Sequence, residues 1–270
     1  MEIHIITDPD EINDIVPVIR SAWGFDTLDG LVKDIVAAMR FHGGLVLGAY
    51  ENSQMVGMSF GFPGFRNGKL YLYSHMTGVL EGKKYSGIGY GLKQYQFNWA
   101  RDHNFDLVAW TFDPLMSLNA NFNIRKLGGI TRTYVSNFYG RMEDRINTGI
   151  RSDRVVAEKW INRSAAVTYS KEEIVFANRQ DTGEALIDLA NIHDGKPIAV
   201  HIPRNFNEIK EKSKEEAQVW KEIISRLLTG LFEKGYVAID FVREDFPYYV
   251  LIDNLDIPNN MAMNPFSRPL

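Results

Sequence analysis

Glycines at positions 87, 89 and 91 stand between a run that alternates like a β-strand, residues 70–80, and a run with the period of a helix. Ile88, Leu92, Tyr95 and Trp99 fall at steps of 4, 3 and 4, which is one face of an α-helix. The chain therefore turns from strand to helix at this corner, and the helix packs on the sheet that holds the strand. Glycine removes the Cβ that keeps a backbone away from a ligand. The first N–H groups of a helix lack intrahelical acceptors and sit at the positive end of its dipole. Lys83 and Lys84 add charge at the same corner, so the segment predicts a cradle for a pyrophosphate; the alternative reading is a tight strand-to-helix turn. A Walker loop is excluded because Gly89 is followed by Tyr90-Gly91, not by Lys-Ser/Thr. A Rossmann fingerprint does not fit, because the loop follows an antiparallel meander and opens no βαβ unit.

That meander is read from residues 45–50, 54–62 and 70–80, separated by the turn formers Glu51-Asn52-Ser53 and Phe65-Arg66-Asn67-Gly68. Ahead of it come a strand over 2–7, a helix opened by Asp8, Asp10 and Glu11 and running to Trp23, and a helix over 31–41. After the glycine helix come a strand over 107–112, a helix over 117–127 stopped by Gly128-Gly129, and a strand over 130–139. The order β-α-α-β-β-β-α-β-α-β predicts a mixed α/β (α+β) fold with a mixed, mainly antiparallel central sheet flanked by helices. Further on, the pattern predicts short strands over 155–161, 173–176, 185–189 and 197–202. One long helix spans 205–234, with Ala217, Trp220, Ile224, Leu227, Leu228 and Leu231 as its stripe, and strands follow over 236–242 and 248–252. The change of pattern divides the chain into residues 1–145 and a C-terminal α/β extension, 146–270.

Composition narrows the function classes. The 270 residues carry 30 basic and 34 acidic side chains, a net charge of −4, so no cationic footprint for nucleic acid is present. No apolar run approaches the ~20 residues of a membrane span. Met1-Glu2-Ile3-His4 is not a cationic segment leading into an apolar core, which predicts a cytoplasmic chain. The absence of cysteine excludes disulfides and thiolate chemistry, and the six histidines lack ligand spacing, so no metal is expected.

The glycine corner resembles the signature of the GNAT N-acetyltransferase superfamily, Val-x-Pro-x-x-Arg-Gly-x-Gly-x-Gly. Val79 matches the valine, Lys84 the arginine, and Gly87 and Gly89 the last two glycines; Glu81 and Tyr85 depart from the proline and first glycine. The superfamily's second segment, Asn-x-x-Ala-x-x-x-Tyr-x-Lys-x-Gly-Phe, is matched by Ala120, Lys126 and Gly128, with Ser117, Ile124 and Gly129 departing. The resemblance covers roughly residues 1–140. Asp113-Pro114-Leu115, the 119–123 segment Asn-Ala-Asn-Phe-Asn, and Ser152-Asp153-Arg154 with Trp160 resemble a prokaryotic branch of predicted acetyltransferases within it.

The resemblance implies a GNAT-like fold with acetyl-CoA or another acyl-CoA between two splayed strands. The pyrophosphate would lie on Lys84, Tyr85, Ser86, Gly87, Ile88, Gly89 and Tyr90, and the pantetheine on the edge of Thr77, Gly78 and Val79, with Asn119 or Asn123 assisting. It implies acyl transfer to a small-molecule or peptide amine. The superfamily often takes its proton donor from the tyrosine that is Ile124 here, so that role is vacant or filled elsewhere, with Tyr134, Tyr139 and Ser117 as alternatives. The candidate bases on or beside the fourth strand are His75 and Glu81, each with a plain alternative: a structural strand residue and a solvated turn. Tyr71, Tyr73, Tyr134, Phe138 and Tyr139 line either an acceptor pocket or the core. A non-catalytic acyl-CoA-binding module is the rival reading; a third takes the C-terminal half, with its long amphipathic helix, as an oligomerisation surface, such as that of a homodimer, or a partner surface on a structural protein.

Overall fold

The computed structural model describes residues 1–24, 29–82, 87–140, 150–162, 168–189, 192, 195–253 and 264–267. The chain packs as two compact units, Met1–Trp110 and Thr111–Leu270. The division expected near residue 145 falls in 141–149, outside the described residues.

The first unit is built on β1 (Glu2–Ile5), β2 (Leu45–Glu51), β3 (Gln54–Arg66), β4 (Lys69–Val79) and the start of β5 (Leu107–Phe112), side by side in that order. β1 to β4 are antiparallel neighbours, and β4 pairs with β5 in parallel. Both hairpin turns have the sequence-expected chemistry. Asn52 and Ser53 lie at φ 50° and 61°, and Asn67 and Gly68 at 48° and 79°, the two left-handed residues of tight two-residue turns that match strand twist. These short turns let β3 run on to Arg66 and β4 begin at Lys69, beyond the sequence estimate.

Two helices precede the sheet strands β2 to β5: α1 (Ile15–Trp23) and α2 (Asp29–Phe41). The first was expected to begin at the acidic residues, but Asp10–Asp14 forms a 3-10 turn and the α-helix starts after it. Pro17 accounts for the shift: it lies in the first α-turn, where its missing N–H has no acceptor to lose. The helices cover one face of the sheet, where Ile15, Val18 and Ile19 pack with Val46, Met58 and Phe60. The other face takes α3 (Ile88–Asp102), whose Ile88 and Leu92 pack with Leu45, Leu47, Ala49 and Val56, joined by Tyr95 and Trp99. The stripe read from the sequence thus faces the sheet. Gly57 on β3 sets how closely α3 sits: a Cβ there would lie 2.8 Å from Ile88 Cγ2 and 3.2 Å from Leu92 Cδ1.

The second unit has strand order β7 (Arg154–Trp160), β6 (Ile130–Val135), β10 (Tyr236–Val242), β11 (Tyr248–Asp253), β9 (Ile198–His201), β8 (Val175–Phe176). Only β8 and β9 are parallel among these pairs. An α+β fold with a mainly antiparallel sheet and an α/β C-terminal region is therefore what forms. Three elements differ from expectation. Residues 185–189 form no strand, and Ala185 makes a single bridge to Asn178. The long helix is two, α5 (Phe206–Lys212) and α6 (Lys214–Glu233), because Ser213 is extended and its Oγ accepts the Glu216 N–H at 3.1 Å as an N-cap. The helix after β5 is α4 (Ser117–Ala120) running into a π-helical turn, Asn121–Lys126. There the Leu127 N–H reaches Phe122 O at 2.9 Å and Gly129 N–H reaches Asn123 O at 3.1 Å around left-handed Gly128.

Gly57→Ala is expected to destabilise the chain by about 1–3 kcal/mol, since the new methyl overpacks against the first turns of α3. Urea unfolding measures it, and an unchanged midpoint would mean that α3 can lift from the sheet without cost.

Candidate functional site

In the first unit, the parallel ladder between β4 and β5 consists of Leu72↔Val108 and Tyr73↔Ala109. Beyond those pairs the ladder between the two strands ends, and Ser74 and residues 76–79 of β4 are laddered to β3 alone among the described residues. Backbone groups point alternately to the two edges of a strand. Leu80 N–H donates to Val56 O at 2.9 Å, so the N–H and C=O of Thr77 and Val79 face the edge left open by the fork. An extended amide-bearing ligand can pair there as another strand would.

A bulge sits at the mouth of the fork. Phe60 pairs with Met76 but the next residue, Gly61, pairs with Ser74, so His75 is the extra residue on β4. The extra residue reverses the side-chain alternation, which is why Ser74 and Thr77, three apart, both meet the polar groups on the α3 side. His75 projects among Phe60, Phe62 and Tyr73, with ring centroids 6.1, 6.1 and 5.9 Å away. It keeps an exposed surface, and desolvation by its neighbours pushes its pKa below 6.5. The imidazole is neutral at neutral pH and able to accept a proton. Glu81 is exposed in the turn after β4, its N–H on Ser21 Oγ at 3.3 Å, as a solvated turn residue would be.

β4 leads into α3 through residues 80–87. Lys84, Tyr85 and Ser86 lie outside the described residues. Gly87 is the N-cap, at φ 90°, a left-handed conformation suited to glycine, and a Cβ there would meet nothing within 4 Å. No side chain caps the helix, and Gly91 N–H takes Gly87 O at 3.0 Å. The N–H groups of Ile88, Gly89 and Tyr90 are thus left without intrahelical acceptors. Among the described residues nothing fills the space at Gly87 or caps these N–H groups, an arrangement that fits a phosphate group. Gly78 plays another part: a Cβ there would lie 2.6 Å from the Trp23 ring, so this glycine admits the end of α1.

Sequence reasoning missed what lies behind the fork. Lys93 on α3 is 3% exposed, and its Nζ donates to Ser74 Oγ at 2.7 Å and Gln96 Oε1 at 3.4 Å. The Trp110 ring centroid is 4.0 Å from the same nitrogen. Gln96 Nε2 continues to Ser59 Oγ at 3.5 Å, which is 3.0 Å from Thr77 Oγ1. Burial pushes the Lys93 pKa down to about 7. The only hint in the sequence is that Lys93 and Gln96 interrupt an otherwise apolar second face with Phe97 and Ala100.

The remaining candidates belong to the second unit. Asn119 is exposed on α4 and Asn123 is buried in the π-helical turn. Ile124 is 1% exposed, a core residue. Ser117 Oγ donates to Arg204 O at 3.0 Å. Tyr134 donates to Asp153 Oδ2 at 2.7 Å, and burial with that carboxylate raises its pKa strongly. Asp153, fully buried, also accepts from Asn137 N–H at 2.9 Å and Arg151 at 3.1 Å, while Ser152 Oγ takes Tyr139 N–H at 2.9 Å. The Ser-Asp-Arg segment therefore ties down the chain after β6. Asp113 accepts Lys221 Nζ at 2.7 Å and Leu115 N–H at 3.0 Å, which explains the Asp-Pro-Leu segment as a pinned turn. This unit also holds a cavity of about 1090 Å³ with Phe176, His201, Tyr248 and Arg243 in its wall. His201 stacks on Phe176 at 4.9 Å. Nothing in the sequence spacing pointed to it.

No protein-family model matches the chain, and no curated protein matches it in sequence. Among solved structures it is similar to aminoglycoside 6'-acetyltransferase type Ii, at 15% identity over 61% of this chain and 100% of that one, TM-score 0.48. It is similar to a ribosomal-protein-alanine N-acetyltransferase from Brucella melitensis, at 16% identity over 59% and 99%, TM-score 0.48. It is also similar to a GNAT family acetyltransferase from Elizabethkingia anophelis with acetyl-CoA bound, at 16% identity over 59% and 97%, TM-score 0.45.

The Lys93 environment makes stability depend on pH. Its folded pKa lies below the 10.5 of an ordinary lysine, so above about pH 7 the unfolded chain binds more protons and stability rises with pH. Between about pH 7 and pH 9 the wild type is expected to gain up to roughly 2–3 kcal/mol that Lys93→Met does not gain. Chemical denaturation of both chains across that window checks it; parallel curves would mean the amine is hydrated.

Proposed function

We propose that this chain is a coenzyme A-dependent N-acyltransferase of GNAT fold, transferring an acetyl group to an amine. The observation that carries the reading is the forked β4–β5 pair followed directly by an uncapped, glycine-started helix. One feature offers a strand edge to a chain of amides and the other offers N–H donors to a pyrophosphate, and acyl-CoA carries both groups. In this reading Thr77 and Val79 hold the pantetheine arm through their backbones, and Ile88, Gly89 and Tyr90 hold the pyrophosphate through theirs. Bound acyl-CoA supplies an activated carbonyl and a thiolate leaving group.

The chain's own contribution is to bind, orient and move a proton. His75, neutral and at the bulge, accepts the proton of the attacking amine through its imidazole. A bulge leaves a backbone N–H outside the ladder, and at this position it is a donor for the carbonyl oxygen as charge develops there. The amine nitrogen bonds to the carbonyl carbon, the carbon–sulfur bond breaks, and the thiolate takes up one proton. The amine acceptor is a small molecule or a peptide.

A second reading, an acyl-CoA-binding module without turnover, is favoured by Ile124. It is buried, has no proton to give, and occupies the position of the acid tyrosine in the resembled superfamily. Release of thiol dependent on an added amine separates the two readings. His75→Gln is expected to lower that release by about 10²- to 10⁴-fold with acetyl-CoA affinity held within about 2-fold. A variant as active as wild type would remove His75 from the mechanism.

Calorimetric titration with acetyl-CoA and with CoA tests the cofactor. Gly89→Asp is expected to weaken both by at least about tenfold, because its carboxylate stands where the pyrophosphate belongs. The same carboxylate suits the dipole of a helix N-terminus, so the fold survives and lost affinity is not unfolding. Equal affinity in variant and wild type would refute the phosphate assignment.

A further inference from the structure

A lysine seated where two strands part is an unusual choice. Tyr73↔Ala109 is the last pair of the β4–β5 ladder, so Ser74 and Trp110 are the first residues of the two diverging edges. The Lys93 nitrogen touches both, 2.7 Å from Ser74 Oγ and 4.0 Å from the Trp110 centroid. Its other partner, Gln96, begins the polar chain that passes through Ser59 to Thr77 on the open edge. No carboxylate among the described residues pairs with it. Among the described residues, the groups in contact with it are Gln96 and Phe97 on α3, Ser74 on β4 and Trp110 on β5, with Ser59 of β3 behind Gln96, and none of these ionises. The titratable residues of those strands, Tyr71, Tyr73, His75 and Lys69 on β4 and Arg66 on β3, leave its ionisation to burial alone. A methionine or leucine would fill the same space without the cost of an isolated buried amine. The amine therefore does something that packing does not.

We propose that Lys93 is the positioning residue of the fork: its amine, held between Ser74 and Trp110, sets the separation of β4 and β5 that lets an acyl-CoA enter. This rests on the acyl-CoA reading of the site. Protonation places a charge at the apex that Ser74 and the Trp110 ring, already in contact with the nitrogen at 2.7 and 4.0 Å, cannot neutralise, so the apex must rearrange to hydrate it and the edge is no longer held for the ligand. Only the uncharged fraction is then competent to bind, and apparent affinity falls by that fraction.

Two measurements on the full chain test the proposal. The first uses no ligand: tryptophan emission is titrated with pH in the wild type, Lys93→Met and Trp110→Phe. The wild type is expected to show near pH 7 a component of the emission change that both variants lack, over and above any change from Trp99, on which the His103 ring is stacked at 3.9 Å; a wild-type profile equal to that of Lys93→Met overturns the proposal. The second is calorimetric titration with acetyl-CoA at about pH 6 and about pH 8, where the wild type is expected to bind about tenfold more weakly at the lower pH. In Lys93→Met, confirmed folded by its melting curve, that ratio is expected to collapse towards the small change due to the ligand's own phosphates. Equal ratios in the two chains overturn the proposal. Absence of acetyl-CoA binding at either pH, with that emission component present, refutes the cofactor reading and leaves Lys93 as the group that sets the fork.

Discussion

Parallel pairing between β4 and β5 lasts for two residue pairs, and most of what is distinctive in the first unit follows from its end. A parallel strand inside a sheet satisfies its backbone groups on both sides. When its neighbour leaves, one side is bare, and a bare edge is either covered or used. Here the bare stretch carries the bulge at His75, faces buried polar side chains on α3, and leads into a helix start with unoccupied N–H groups. These are three features of one segment of about fifteen residues, and a solely structural role would require none of them.

The polar chain behind the fork shows the same tension in energetic form. Ser59, Ser74, Gln96 and Lys93 are all buried among apolar residues. Each contact returns only about a kcal/mol net, and a single missing partner costs more than that. The arrangement is stable because each member has an acceptor or donor within reach and because the lysine can shed its proton. A carboxylate beside Lys93 would have kept it charged and tied it to one partner. Leaving it uncompensated makes its charge responsive to pH in the physiological range, which an ion pair would prevent.

Much of this could be read from residue order. The meander, its two left-handed turns, and the α3 stripe through Ile88, Leu92, Tyr95 and Trp99 follow from period and turn chemistry, which are local. The glycine corner was visible for the same reason. The fork and the bulge were not, because pairing register is set by contacts between distant strands and a single extra residue in an alternating run leaves no mark. Ser213 was misjudged because an apolar stripe resumed after it. Yet Ser-x-x-Glu from 213 to 216 is a capping pattern, and it starts a new helix there. Lys93 was passed over because a lone lysine on a helix is ordinarily solvated.

The second unit shows why resemblance of short segments is a poor guide to chemistry. Asp113-Pro114-Leu115 and Ser152-Asp153-Arg154 carry the resemblance to one branch of the superfamily, and each contains a carboxylate. In the fold each carboxylate is spent: Asp113 on Lys221 and the Leu115 N–H, Asp153 on Tyr134, Asn137 and Arg151. Glu158 likewise receives a bidentate Arg132 and the Trp160 indole. A carboxylate saturated by donors inside a core cannot also take a proton from a substrate without breaking what it holds. His75 differs in kind. It has aromatic rings around it, an exposed surface and a lowered pKa, so its lone pair is available. Separating polar groups that are consumed by the fold from those that are held open identifies the residues that can act, and in the first unit that separation selects the bulged strand.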